Sequence, residues 1–259
     1  MTGNLTKEER AGLADCLLDM GALLLDCGAE ISRVEDTICR MGLAYGARHV
    51  DAFVITSIIS LSMEFSDEES VTETRRIYSS AGTDFFRLEK LNELSRQCCA
   101  VPIPLQTLRE RLQHVAAGKK PPQVIFWGSL IATAAFAVFF GGTLWDGLAA
   151  ACFAAGICGL QTLLNRTKIS VTGANLLLSL LVGLAAGAMC MMIPQLHLDK
   201  ILIGDIMLLI PGLAMTNSIR NMLAGNTISG VVRLTESLIW AGALAGGFMI
   251  AMLLLEQFG

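Results

Sequence analysis

Asp205 lies in the run KILIGDIMLLIPGLAM, five residues after Lys200 and flanked on both sides by apolar residues. A carboxylate in such a segment costs a few kcal/mol in a bilayer (roughly 3), so its presence asks for a reason. One reason is chemistry: facing a bundle interior, it can take up a proton or receive an ammonium group. The plainer reason is a position near the membrane interface, within reach of water. Pro211 then removes a backbone donor and Gly212 loosens the chain, so a helix through this run is expected to break there. Beyond it, Asn217, Arg220, Asn221 and Ala224 recur at i, i+3, i+4 and i+7 and form one face, leaving Leu213, Met215, Ile219, Met222 and Leu223 largely apolar. A helix that starts after a break offers the positive end of its dipole and unpaired N–H groups, which suit a carboxylate. The same pattern also describes an amphipathic segment lying flat on a membrane. Arg233 and Glu236, spaced i, i+3, read first as an ion pair at the start of the last apolar run and second as a gating contact.

A second charged knot is GAEISRVEDT, residues 28–37. Ser32-Arg33-Val34-Glu35 reads as a capping box, with Asp36 in the favourable first turn of the helix it opens. Glu30 and Arg33 fall off the apolar face of Val34, Ile38, Met41 and Tyr45. They are therefore expected to pair with another element or with a ligand.

The elements that must position these groups follow from how charge is distributed. Residues 1–120 carry 14 Lys and Arg and 18 Asp and Glu, whereas residues 121–259 carry five of each. So little charge over the second stretch is a membrane composition, while the first stretch has globular composition and can build one small core. Thr6-Lys7-Glu8-Glu9 is a capping box, and Leu13, Leu17, Leu24 and Leu25 form a stripe running to Gly28. Asp15 and Asp19 interrupt the first apolar cluster, so it does not read as a signal peptide, and the domain is expected to be cytoplasmic. The β-branched run HVDAFVITSIISLSMEF, a turn at SDEE and the returning VTETRRIY predict strands. A Ser-Ser-Ala-Gly-Thr loop and two amphipathic helices, FFRLEKLNELSRQC and PLQTLRERLQHVAAG, complete an α+β domain.

Lys119-Lys120-Pro121-Pro122 marks the boundary, with cationic anchors suited to a cytoplasmic membrane face. Apolar spans are predicted at about 123–141, 147–164, 172–193, 201–216 and 234–255. Arg166 and Lys168 follow the second span, and Arg220 and Arg233 lie between the fourth and fifth. With the N-terminus inside, the positive loops fall inside and Gly259 falls outside. The expected architecture is an α+β cytoplasmic domain, residues 1–120, followed by an all-α five-helix transmembrane domain, residues 121–259, with one broken helix. An odd number of spans without an internal inverted copy is what half of an inverted-repeat transporter would show. The eight cysteines form no CxxC or Cys/His cluster and read as small buried hydrophobes in a reducing compartment, with no metal site. No basic surplus invites nucleic acid. An enzyme built on Glu30, Arg33, Glu35 and His49 lacks nucleophile–base or ligand spacing.

Two stretches resemble signatures of one transporter family. Gly28-Ala29-Glu30 followed by Arg33-Val34-Glu35 is similar to the first signature of the threonine/serine exporter (ThrE) family. Pro211-Gly212 through Thr216-Asn217, Arg220, Gly225, Gly230, Arg233 and Glu236 resembles its second. Cys27 and Asn221 depart from residue types common in relatives, where His and an acidic residue are frequent. The resemblance covers nearly the whole chain, and its length is similar to the larger, YjjP-type component of split members, which work with a small five-span YjjB-type membrane partner. It implies a subunit of an inner-membrane exporter of small polar metabolites, driven by the proton-motive force and using no cofactor. Threonine and serine are the implied substrates of fused members, and C4-dicarboxylates such as succinate those of a split pair; charge favours the amino acids. A regulatory or hydrolytic N-terminal domain is the competing class, and the sequence leaves open whether the chain forms an oligomer.

Overall fold

The computed structural model of the chain describes residues 5–66, 69–78, 83–118, 122–164 and 169–257. The boundary residues Lys119, Lys120 and Pro121, the turn at Asp67-Glu68, the loop from Ser79 to Gly82, the loop cations Arg166 and Lys168, and Gly259 lie outside them. Two compact units emerge: Met1–Lys119 with Leu213–Leu234, and Lys120–Gly212 with Thr235–Gly259.

In the first unit, α1 (Lys7–Asp26) starts at the expected capping box, with Thr6 and Glu9 each bonding the other's backbone N–H. It ends where Gly28 adopts φ 82°, and Ala29 N–H donates to Leu24 O while Gly28 N–H donates to Leu25 O. That left-handed closing turn is open to glycine at little cost, which accounts for the glycine that opens the charged knot. Helix α2 (Ile31–Ala44) ends the same way at Gly46, φ 100°. Its expected inner face is buried, with Val34, Ile38 and Met41 at 0% exposure.

The capping box expected at Ser32 does not form. The turn at Gly28-Ala29 delivers the chain so that Glu30 is the N-cap, in extended conformation, and no side chain caps the helix. Ser32 therefore lies one residue inside the helix, and Glu35 is too far along to reach back. The Glu35 carboxylate instead accepts the Val54 N–H at 3.1 Å. Burial raises its pKa above the ordinary 4.5, opposed in part by that hydrogen bond. An acid whose folded pKa is raised binds its proton more tightly when folded, so the contribution of Glu35 to stability is greatest below about 4.5 and is lost as pH rises through the folded value. We expect Glu35→Gln, which keeps the acceptor, to flatten that acidic slope in thermal melts across pH. An unchanged slope would assign it to other groups.

Strands β1 (His49–Ile55), β2 (Ile58–Glu64) and β3 (Ser70–Arg76) form an antiparallel meander in the order β1-β2-β3. Nothing in the composition of the long β-branched run divides it into two strands. In the structure Thr56-Ser57 turns it back, pairing Ile55 with Ile58. Ile59, Leu61 and Met63 point into the core at 0% exposure, while on the other face Ser60 and Ser62 pair with Thr74 and Thr72, oxygen to oxygen 3.0 Å. Helix α1 packs against α2, the sheet, and the helices α3 (Phe85–Ala100) and α4 (Leu105–Ala117). Arg75 of β3 fastens the sheet to α1 by bridging Asp15, at 2.7 Å, and Asp19.

The second unit holds α5 (Pro122–Phe139), α6 (Leu144–Leu164), α7 (Val171–Met192), α8 (Leu198–Leu209) and most of a later helix, α10 (Thr227–Glu256). Of these, α5, α6, α7 and α10 are long and apolar enough to cross a membrane. Their outer faces expose Ile131, Phe139, Leu148, Leu181 and Leu253, the surface that lipid solvates. Their inner faces approach through small residues. A Cβ on Gly247 would overlap Ser179 Oγ, and one on Gly204 would stand 2.7 Å from Thr133 O.

The span expected at 201–216 is not one helix. Helix α8 ends at Leu209, Ile210 and Pro211 break the ladder, and α9 (Gly212–Leu223) resumes. The break falls where proline and glycine predicted it. At about 1.5 Å per residue, the twelve residues of α8 reach only about 18 Å, short of a hydrocarbon core of about 30 Å. The last helix also begins at Thr227 rather than near 234, which places Arg233 and Glu236 inside it and Thr227–Leu234 in the first unit. The cysteines are all free, but Cys99 and Cys152 are exposed rather than buried.

Candidate functional site

The second unit contains two aspartates with side chains wholly out of reach of water, and their surroundings are opposite. Asp146, in the first turn of α6, accepts the Thr143 N–H at 2.7 Å, the Thr143 hydroxyl at 2.8 Å and the His197 N–H at 2.7 Å. His197 Nδ1 lies 3.0 Å from the same carboxylate. Thr143 in return accepts the Asp146 N–H, closing a capping box. Asp146 therefore holds the start of α6 to the start of α8. The Thr-x-x-Asp spacing at 143–146 is the sequence signal for it, a local cap that a search for charged motifs passes over.

Asp205 has no such support. It is 0% exposed in α8, one turn before the break, and neither carboxylate oxygen has a hydrogen-bond partner. Helix α8 packs on α5, α6 and α7, amid Ala137, Ala150 and Ile201. Removing an ionised carboxylate from water without a partner is costly, whereas the neutral acid is tolerated far better. Asp205 therefore does not reach water in this structure, whereas the interface alternative had it doing so. A carboxyl group so placed is able to take up a proton or receive a cation.

The motif residues of the first unit converge on a cleft of about 330 Å³. Gly28, Ala29, Glu30 and Arg33 line one side, α9 contributes Thr216, Asn217 and Arg220 to another, and α3 adds Phe85, Leu88 and Asn92. Arg220 forms an ion pair with Glu30 across 190 residues of chain, so Glu30 pairs with another element. Arg33 is exposed and makes no ion pair among the described residues. The predicted polar face of α9 is divided: Asn217 and Arg220 reach the cleft, while Asn221 is 3% exposed. Glu35 takes no part in the cleft, since its carboxylate serves the sheet. Pro211 and Gly212 form the break itself, and Arg233 and Glu236 lie along α10. The α3 side of the cleft had no signal in the sequence, because nothing local tells which helix packs beside the start of α2.

The model of the ThrE family, described as "Putative threonine/serine exporter", matches residues 15–255, covering both units. The chain belongs to this family. ThrE is a transporter family, and with four helices of spanning length among the described residues the chain is a multi-pass membrane transporter. No curated protein and no solved structure matches it. Both stretches whose resemblance suggested the family lie within the matched range, and their residues Gly28, Ala29, Glu30, Arg33, Thr216, Asn217 and Arg220 share the cleft.

Proposed function

We propose that the chain is one subunit of a secondary-active exporter in the cytoplasmic membrane, moving threonine and serine outward in exchange for protons that Asp205 carries. The observation that carries this reading is the unpartnered, water-excluded Asp205 beside a helix break, in a bundle whose other buried aspartate is fully bonded. A carboxylate that must change charge state in each cycle cannot be locked by permanent donors. Asp146 is locked; Asp205 is not.

Five crossings with the N-terminus inside remain the proposed topology, the fourth made by the short α8 together with the non-helical residues 193–197 and 210–211 at its two ends. Two observations support it. Residues 213–234 belong to the same compact unit as residues 1–119, which asks for one side of the membrane for both. The bond between Asp146 and His197 holds the starts of α6 and α8 at one face, as alternating crossings require. A five-span unit without an internal inverted copy calls for a partner, and a small five-span protein of the YjjB type supplies the missing half. The competing substrate class is a C4-dicarboxylate, favoured by the two guanidinium groups of Arg33 and Arg220 in one cleft.

The test is efflux of labelled threonine, serine and succinate from vesicles holding this chain with and without that partner, under an imposed pH gradient. Gradient-stimulated efflux of the two amino acids, requiring both proteins, is the expected result. Efflux of succinate alone would transfer the assignment to dicarboxylates, and no efflux of any of the three would remove it.

A further inference from the structure

The cleft of the first unit is lined by one carboxylate and two guanidinium groups, and its ion pair is asymmetric in burial. The Glu30 side chain is 22% exposed and that of Arg220 60%. Glu30 is thus the inner group and Arg220 the outer. Arg33 adds a second positive charge with no anion of its own among the described residues. Helix α2 also begins in this cleft, and no side chain hydrogen-bonds the N–H groups of its first turn. The remaining lining combines apolar Leu24, Phe85 and Leu88 with neutral amides of Asn92 and Asn217.

We propose that this cleft is a binding site for a small polar α-amino acid, separate from the buried Asp205. The ligand ammonium bonds to Glu30, and its carboxylate bonds to Arg33 and Arg220 at the start of α2. The proximity of the charges selects the ligand class. Glu30 and Arg220 are in direct contact, so acceptor and donor positions are one ligand carbon apart, as ammonium and carboxylate are in an α-amino acid. A zwitterion gives every charged group in the cleft an opposite partner, and Arg220 keeps an anion throughout. A dicarboxylate satisfies the arginines but sets a like charge against Glu30 and offers it no donor. A monoamine leaves both arginines unanswered. The amides of Asn92 and Asn217 in the lining supply donors and acceptors that suit a short hydroxylated side chain.

This inference rests on the transport reading only in the choice of probes. Binding of L-serine and L-threonine to the purified full-length chain in detergent, without partner or gradient, is measured by calorimetry, with succinate, L-serine methyl ester and lactate as comparison ligands. The ester lacks the carboxylate and lactate lacks the ammonium. Saturable binding of the two amino acids is expected, with the three comparison ligands at least tenfold weaker. Arg33→Gln should weaken serine at least tenfold, the loss of one charge-assisted contact. That arginine is exposed and makes no ion pair among the described residues, so its removal does not threaten folding, whereas Glu30→Gln loses the contact to α9 as well. Binding insensitive to Arg33→Gln, or equal for serine and its methyl ester, overturns the cleft as the site. If vesicles export serine while the chain shows no Arg33-dependent binding, the cleft proposal fails and the transport reading stands. If serine binds in the cleft but no efflux occurs, the transport reading fails and the cleft remains a ligand-binding site.

Discussion

Asp205→Asn should abolish the pH-gradient-driven part of export while leaving a fully inserted protein. Asparagine preserves size and polarity but fixes the charge at zero, so the position can no longer carry a proton through the cycle. The side chain is 0% exposed with both oxygens unpartnered, so no native hydrogen bond is lost. The melting temperature should hold or rise, because the ionised form at that place was costly. Exchange of labelled serine across the membrane without a gradient can survive, since only the coupling step needs the acid. Vesicle efflux with and without a pH gradient, alongside a melt in detergent, reads both quantities. Gradient stimulation equal to wild type would remove Asp205 from the mechanism. A collapse in melting temperature would make it structural.

Asp146→Ala should do the reverse. This carboxylate holds Thr143 and His197 through contacts of 2.7 to 3.0 Å, and its loss takes the acceptor from the backbone N–H groups of these two exposed residues. Losing a helix cap costs about 1 kcal/mol, and losing the tie to His197 adds about 1 kcal/mol, the net worth of one hydrogen bond. A total of about 2 kcal/mol corresponds to a melting temperature lower by roughly 4–8 °C for a chain of this size. The proton coupling of the molecules that remain folded should persist, because Asp146 is permanently bonded and does not cycle. Coupling ratio per folded molecule, together with the melt, separates the two aspartates. An unchanged melt with coupling lost would exchange their roles.

The two aspartates show where sequence reasoning stops. In a string of residues both are single acids in apolar surroundings, and the cost of burial draws attention to Asp205 alone. The signal for Asp146 is local, a Thr three residues earlier, and is legible. The partner that completes its bonding, His197, is 51 residues away, and no spacing rule connects them. The second capping box failed for a related reason. Ser32 and Glu35 have the right spacing, but the turn closed by Gly28 fixes where α2 begins, and Val54 of a neighbouring strand takes the carboxylate.

What the sequence determined by itself is what acts within a turn or two of chain, or in bulk. The charge split fixed a globular part and a membrane part. Apolar periodicity fixed the buried faces of α1 and α2, and Gly28 fixed where α1 ends. Proline and glycine fixed the break between α8 and α9, because a missing N–H and a fixed φ act on the spot. The tertiary structure decided which separated groups meet. It brought α9 into the same unit as residues 1–119, although composition had placed it among the membrane segments, and so gave Glu30 its partner in Arg220. It also decided that Asp205 has no partner. Such outcomes depend on which surfaces pack together, and packing is settled by the summed burial of many side chains rather than by any one residue's type.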